Sequence, residues 1–390
     1  MDLNALLDTA IARGGSDLHL KVGSPPIARV DGELTPIEER PLTEEDLEAA
    51  LMVVTERIPL KREQFHASGD LDTAYIADGV GRFRVNGFRQ RGFISFAFRH
   101  VPKEVPSFEK LGLPPGVEKL SDEHRGLVLV TGATGSGKST TLAAMIDKIN
   151  RTRRQHIVTI EDPIEIVHPD HGCIVNQREV GLDTESFMQA LRRVLRQDPD
   201  VILIGELRDE ESAKAALQAS ESGHFVLSTM HTVDAAETIG RLIEFFPPGK
   251  QGMIRQILAG VLRGVVSQRL LPRTGGGRLA AVEVMVNTAR IADLIREPEK
   301  TEGILDAIED GAYHHMQSFS QHLVELVLDE QVDFETAAAA STNRHDFEIA
   351  VEQALRRKQA DEAKVAAAEA AGKTIEEAEA QEALGLRLAQ

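Results

Sequence analysis

Eight consecutive residues, Gly132-Ala133-Thr134-Gly135-Ser136-Gly137-Lys138-Ser139, fit the pattern G-x-x-x-x-G-K-[ST] in full. Such a run can cradle phosphate. Its glycines let successive backbone N–H groups curl around the oxygens, and a following helix aims its N-terminus at them. Lys138 is placed to reach the β- and γ-phosphates of a nucleotide such as ATP, and the Ser139 hydroxyl to bind Mg²⁺, with Thr140 next on the helix. The alternative is a glycine-rich turn without a ligand. The apolar run at 127–130 before it and the helical opening Ser139-Thr140-Thr141-Leu142 after it favour the phosphate site.

Holding a triphosphate is not hydrolysing it, which takes an acid to orient water and usually a second acid near the metal. Val201-Ile202-Leu203-Ile204-Gly205-Glu206 is an apolar strand ending in a carboxylate, the form of a Walker B strand. Parallel strands present their carboxyl ends along one edge, so Glu206 is expected near the phosphates. Gly205 stands where that pattern commonly has Asp. The metal-side acid must then come from elsewhere, or Mg²⁺ relies on Ser139, phosphates and water. Ile160-Glu161-Asp162-Pro163-Ile164-Glu165 offers three acids at the end of another strand, with Glu161 and Glu165 as candidates and a solvated turn as the alternative. A third polar cluster, Ser228-Thr229-Met230-His231-Thr232, follows a further strand. His231 reads as a sensor of γ-phosphate or of the attacking water, with a packed core histidine as the alternative. For His224, which opens that strand, a site role and a packed core histidine stand equal.

These groups need a frame. From residue 127 the chain alternates strand, glycine loop, helix, strand, helix, strand, which predicts a mainly parallel sheet covered by helices in an α/β fold. The runs at 127–130, 157–160, 201–204 and 225–227 are almost wholly apolar, as strands buried on both faces are. A further strand is expected at 279–286, then helices. Upstream, residues 1–100 read as a small α/β domain. It has a helix at 3–12, strands at 17–20 and 27–32, a helix at 43–54 capped by Thr43 and Asp46, and an antiparallel pair at 81–88 and 92–98. Prolines 102, 106, 114 and 115 mark a linker over 101–116, ahead of a domain at 117–345. Residues 346–390, rich in Ala and Glu beyond Arg356, read as a helical or disordered tail. Val365, Ile375 and Leu384 are too sparse to bury a helix face, and a docking helix at 383–389 is the alternative.

A chain of 390 residues with 42% hydrophobic and 27% charged residues suits a globular protein of two or three domains. No run approaches the roughly 18 apolar residues that span a bilayer, so no direct membrane insertion is expected. The N-terminus lacks the pattern of a signal peptide, and Cys173, the one cysteine, can form neither an internal disulfide nor a multi-cysteine zinc site. These features predict a cytoplasmic location. A net charge of −18, 4% aromatic residues and no Trp argue against nucleic-acid binding.

Together these blocks resemble the PilT family of secretion and pilus ATPases. Ser16-Asp17-Leu18-His19-Leu20 is similar to the family's N-terminal signature, and residues 159–165 to its Asp box. Gly205-Glu206-Leu207-Arg208-Asp209 is similar to its Walker B, and the blocks from Gly223-His224 to His231-Thr232 to its His box. Asn176-Gln177-Arg178-Glu179-Val180 and Ser267-Gln268-Arg269-Leu270-Leu271-Pro272 also match, so the resemblance covers residues 1–345. It implies a PAS-like N-terminal domain, a RecA-like P-loop ATPase domain with C-terminal helices, and a homo-hexameric ring binding ATP at its subunit seams. It also implies that Gly205 is a family trait, and that N-terminal arginines, here Arg82, Arg84 and Arg99, meet the γ-phosphate. Residues 289–297 partly resemble the C-terminal motif of the retraction members. The implied work is type IV pilus retraction against a platform protein at the inner face of the cytoplasmic membrane. Pilus extension, type II secretion and nucleic-acid translocation are the alternatives.

Overall fold

The computed structural model describes the backbone of residues 1–102 and 104–370 and side chains through Gln359, apart from Lys103. Helix α1 (Leu3–Ala12) is followed by β1 (Gly15–Lys21), β2 (Ile27–Val30), β3 (Glu33–Pro36), α2 (Glu44–Val54), α3 (Pro59–Ser68), β4 (Asp70–Ala77), β5 (Gly81–Gln90) and β6 (Phe93–Val101). These six strands form one antiparallel sheet in the order β3-β2-β1-β6-β5-β4. Leu7, Leu18, Leu20, Leu47, Leu51, Phe65, Phe83, Phe96 and Phe98 fill its core. The cap of α2 closes in both directions: the Thr43 hydroxyl accepts from the Asp46 amide, and the Asp46 carboxylate accepts from the Thr43 amide. Asp, one methylene shorter than Glu, still spans the turn here, and the same carboxylate pairs with Arg40 and the N-terminal amine.

The expected linker is partly ordered as α4 (Phe108–Leu111) and the start of α5 (Pro115–Leu120). Then come β7 (Gly126–Thr131), α6 (Lys138–Thr152), β8 (His156–Glu161), β9 (Ile174–Glu179), α7 (Phe187–Val194), β10 (Val201–Ile204), α8 (Glu210–Glu221), β11 (Phe225–Met230), α9 (Ala235–Glu244), α10 (Pro248–Val261), β12 (Leu262–Pro272) and β13 (Arg278–Val286). The second sheet runs β13-β12-β7-β11-β10-β8-β9, parallel except for β13. Every residue of β7, β10 and β11 is buried, because helices cover both faces and two apolar clusters flank the sheet. The α/β class and the mainly parallel sheet expected from the sequence are thus present.

Helices α11 (Ala289–Arg296), α12 (Ile304–Glu309), α13 (Phe319–Leu328), α14 (Phe334–Ala340) and α15 (Arg344–Ala370) close the described chain. The tail expected from residue 346 needs correction at its start. Phe347 and Val351, 1% and 3% exposed, pack into a cluster with Leu271, Leu279, Ala281 and Leu323, so the first turns of α15 belong to the core. The side chain of Val365, and Ile375, Leu384 and the candidate docking stretch 383–389, lie outside the described residues.

Glu283 of β13 fastens two helices, α9 and α13. Its carboxylate accepts from the amides of Ala235 (2.8 Å) and Phe319, the first residues of α9 and α13. Anionic charge is favoured at both helix N-termini, yet burial pushes the carboxyl up to about 7.

Two outcomes are expected. A chain stopped after Gln359 keeps its fold, whereas Phe347→Ala loses about 3–5 kcal/mol in urea unfolding, as deletion of a buried Phe does. Because the Glu283 pKa is raised above its unfolded value of 4.5, the wild type loses stability relative to Glu283→Gln as pH rises from 4.5 to about 7, with no further change above. Thermal melts of both proteins across that range check the sign.

Candidate active site

The predicted groups meet along one edge of the second sheet. The P-loop leaves β7, Glu161 ends β8, Gly205-Glu206 follows β10 and His231 follows β11, all at the carboxyl ends of adjacent parallel strands. The register makes those ends level, since β11 pairs with β7 from Phe225↔Gly126 to Met230↔Thr131. Hydroxyls fasten the edge: Ser228 Oγ donates to Ile204 O, and Thr229 Oγ1 to Gly205 O, each at 2.7 Å. Thr131 Oγ1 donates to Ser267 Oγ at 2.9 Å.

Gly132 shows why the loop needs its first glycine. At φ +141°, a Cβ there would lie 2.4 Å from the Gln268 carbonyl oxygen and 2.6 Å from Ser136 Oγ. Gly135 and Gly137 hold φ of +80° and +94°, the left-handed region that favours glycine. Lys138 is buried, with its ammonium donating to Gly132 O (2.7 Å) and Ala133 O (3.0 Å) and 3.5 Å from His231 Nδ1. Burial lowers its pKa, and the charges of Glu206 and Glu165 partly offset that. Ser136 Oγ is buried with no partner among the described residues. A glycine cradle, a buried ammonium and an unpaired hydroxyl facing one loop fit an oxyanion ligand such as a nucleotide phosphate.

Glu206 is held by Arg208 (Nη2 to Oε2, 2.9 Å) and by His231 (Nε2 to Oε1, 3.3 Å). His231 therefore stands between Lys138 and Glu206. Gly205 donates its amide to Ile160 O at 2.8 Å, and a Cβ on it would meet that oxygen at 3.2 Å and the Phe187 ring at 3.4 Å. This packing leaves little room for a carboxylate at 205. Glu161 accepts from Thr159 Oγ1 (2.6 Å) and Gln177 Nε2 (3.0 Å), and burial raises its pKa, with Glu165 and Glu179 adding to the rise. Glu165 is exposed and lines the same cavity as Ser139, Thr140, Glu161, Asp162, Glu206 and His231. Oxygen donors of this kind suit Mg²⁺. Among the described residues no cluster of three metal-ligating side chains forms.

That cavity, ≈ 1180 Å³, runs from the P-loop past α6 to Leu111 and Leu113 beside α4 and to Arg273, Arg278 and Gln331. A second cavity of ≈ 620 Å³ lies on the other side of Glu206, between Arg208 and Glu237, Arg241 and Glu244 of α9.

The family profile of type II/IV secretion system proteins matches residues 1–276. The chain belongs to this family. It is 46% identical to the type IV pilus retraction ATPase PilT of Pseudomonas aeruginosa, over 84% of this chain and 94% of that protein. To the type IV pilus ATPase PilU of the same organism it is 40% identical, over 90% and 91%. The fold matches a crystal structure of the pilus retraction motor PilT with bound ADP at a TM-score of 0.82 and 43% identity, covering 89% of this chain and 99% of that one. The ATPase DotB of Legionella pneumophila matches at 0.75 and 27%, covering 87% and 94%.

None of Arg82, Arg84 and Arg99 lines the cavity at the P-loop. Arg84 and Arg99 face each other across β5 and β6; Arg99 pairs with Asp17 at 2.8 Å, and Arg84 makes no ion pair among the described residues. Arg82 is engaged elsewhere, with Glu179 at 2.7 Å. His224, at the opposite end of β11, lies within hydrogen-bonding distance of Ser222 Oγ and Ala219 O and does not line this cavity.

Sequence reasoning missed Gln268, Arg273 and Arg278. Gln268 is 2% exposed and donates to Thr141 Oγ1 at 2.8 Å, and its Oε1 has no partner among the described residues. The available signal was the polar pair Ser267-Gln268 interrupting an apolar run. Arg273 and Arg278 flank a glycine turn and read as ordinary hairpin charges.

Lys138→Ala is expected to abolish ATP turnover with the fold retained. Glu206→Gln is expected to bind ATP near the native affinity while turnover falls roughly 10²–10⁴-fold, the usual worth of a general base. Nucleotide binding and steady-state ATPase rates of both variants check the assignment; the phenotype in Glu161→Gln or Glu165→Gln instead would move the base to the β8 end.

Proposed function

We propose that this chain hydrolyses ATP as a motor subunit of type IV pilus retraction. The carrying observation is the level edge that brings Lys138, Glu206 and His231 together, in a chain alignable over 94% of a retraction ATPase. Lys138 binds the β- and γ-phosphates once drawn from its loop carbonyls. Glu206, held in place by Arg208 and His231, orients water and takes its proton. His231, between acid and lysine, senses the γ-phosphate. Mg²⁺ on Ser139, with Glu161 or Glu165 assisting, would offset charge on the phosphate oxygens.

The relatives named for pilus and secretion work support a ring assembly. We infer a homo-hexamer in which Arg84 and Arg99 reach a nucleotide on a neighbouring copy, because neither lines the cavity of its own chain. Among the described residues no helix is long and apolar enough to cross a membrane. The ring would act in the cytoplasm, docked on an inner-membrane platform protein of the pilus.

Deleting the gene in its host separates the two directions of work. Retraction predicts surplus surface pili and loss of twitching, scored by electron microscopy and a motility assay. Loss of pili would assign the chain to extension, and unchanged pili with impaired protein export to secretion.

A further inference from the structure

Arg82 is where the N-terminal sheet grips the turn that carries the acids of β8. Its Nη2 donates to Glu179 Oε2 at 2.7 Å, with the two side chains only 12% and 5% exposed. The same oxygen accepts from the Ile164 amide at 3.0 Å. Ile164 lies inside the turn, three residues after Glu161 and directly before Glu165. Beside it the Val180 amide donates to Glu161 O at 2.9 Å, and the Glu179 amide to Asp183 Oδ2 at 2.8 Å. One carboxylate oxygen is therefore shared by a cation from the first sheet and the backbone of the second sheet's acid turn.

Removing one partner of a buried pair leaves the other charge uncompensated. Without the guanidinium, Glu179 must find water or another donor, and the Ile164 amide loses a fixed acceptor. Among the described residues the guanidinium pairs with no second carboxylate and its Nε is buried without a partner, so its hold rests on Glu179.

We propose that Arg82 is a positioning residue acting within its own chain: through Glu179 it sets the turn bearing Glu161 and Glu165, tying the N-terminal sheet to the nucleotide cavity. It does not reach a nucleotide on another copy, the role implied for it by family resemblance. Movement of the first sheet against the second is felt first at these acids.

This rests on the ATPase reading, and the test separates the two. Arg82→Met and Glu179→Gln are each expected to lower kcat on the order of tenfold with little change in KM for ATP. The double variant is expected to be no slower than the slower single one, as for residues that act as one unit. Hydrogen exchange should quicken over residues 161–168 in Arg82→Met and stay unchanged along β7. Arg82→Lys, which keeps the charge, should recover most of the rate; if Arg82→Met does not fold, Glu179→Gln, which removes the other partner of the pair, carries the exchange test. In mixed assemblies with Lys138→Ala subunits, Arg82→Met should restore no activity, because both defects damage the nucleotide site of their own chain. Multiplicative losses in the double variant, unaltered exchange at 161–168, or recovery in mixed assemblies would overturn the proposal. A wild-type protein without ATP turnover would sink the ATPase reading, leaving the exchange result to decide the latch.

Discussion

The level register of the central parallel strands is the constraint from which the site follows. A strand in the middle of such a sheet is covered on both faces, so it must be apolar throughout, as Leu127, Val128, Leu129 and Val130 are. Polar chemistry is then confined to the strand ends, and the shared register brings those ends to one line. Burial makes the line demanding, because an unpaired hydroxyl or carbonyl there costs about 1–3 kcal/mol. Ser228 and Thr229 meet that demand with the carbonyls of Ile204 and Gly205, fixing the backbone just ahead of Glu206. The geometry proposed for catalysis is in this sense a by-product of satisfying the sheet edge.

The same constraint accounts for Gly205. A Cβ at 205 would sit tight against the Ile160 carbonyl and in contact with the Phe187 ring, which disfavours a side chain there, whereas Glu206 comes after the chain has left the strand. There Arg208 and His231 hold the carboxylate, with Arg208 62% exposed and Glu206 18%. An exposed guanidinium in solvent is a weak restraint, worth roughly 0–1 kcal/mol. Glu206 is consequently aimed without being locked, which suits a group that must exchange partners when a triphosphate and water arrive.

Much of this was legible in the sequence because the signals were local. The P-loop, the apolar strands and the acids at their ends are contiguous, and the α2 cap is a four-residue pattern whose two bonds both form. What escaped reading depended on distant contacts. Strand β12 follows α10 without a break, and its apolar run reads equally as helix; only pairing with β7 and β13 decides. Gln268 acquires its place through Thr141, far along the chain. The tail was set too early at residue 346 because Phe347 and Val351 are two apolar residues in a polar stretch, and their burial depends on a surface formed by β12, β13 and α13. Arg82, read as one of three equivalent arginines, differs from Arg84 only through Glu179, a residue 97 positions away.

That difference bears on how a two-sheet subunit could convert hydrolysis into movement. An exposed ion pair would slip under load, but a buried one exposes unpaired charge when pulled apart and so resists separation until a competing partner appears. The Arg82–Glu179 pair is largely buried, and its carboxylate also holds the Ile164 amide, between Glu161 and Glu165. Glu161 lies against Thr159 and Gln177, and its neighbours Glu165 and Glu179 both disfavour its charge. A shift of Glu179 toward or away from Arg82 therefore changes both the position of the turn and the field at Glu161. Metal-bound phosphate at the cavity would favour the charged acid, and the N-terminal sheet would favour the turn held in place. Two sites that bias one element are thermodynamically coupled in both directions. On the proposed latch, force on the N-terminal sheet would alter nucleotide affinity, and nucleotide would in turn bias the sheet.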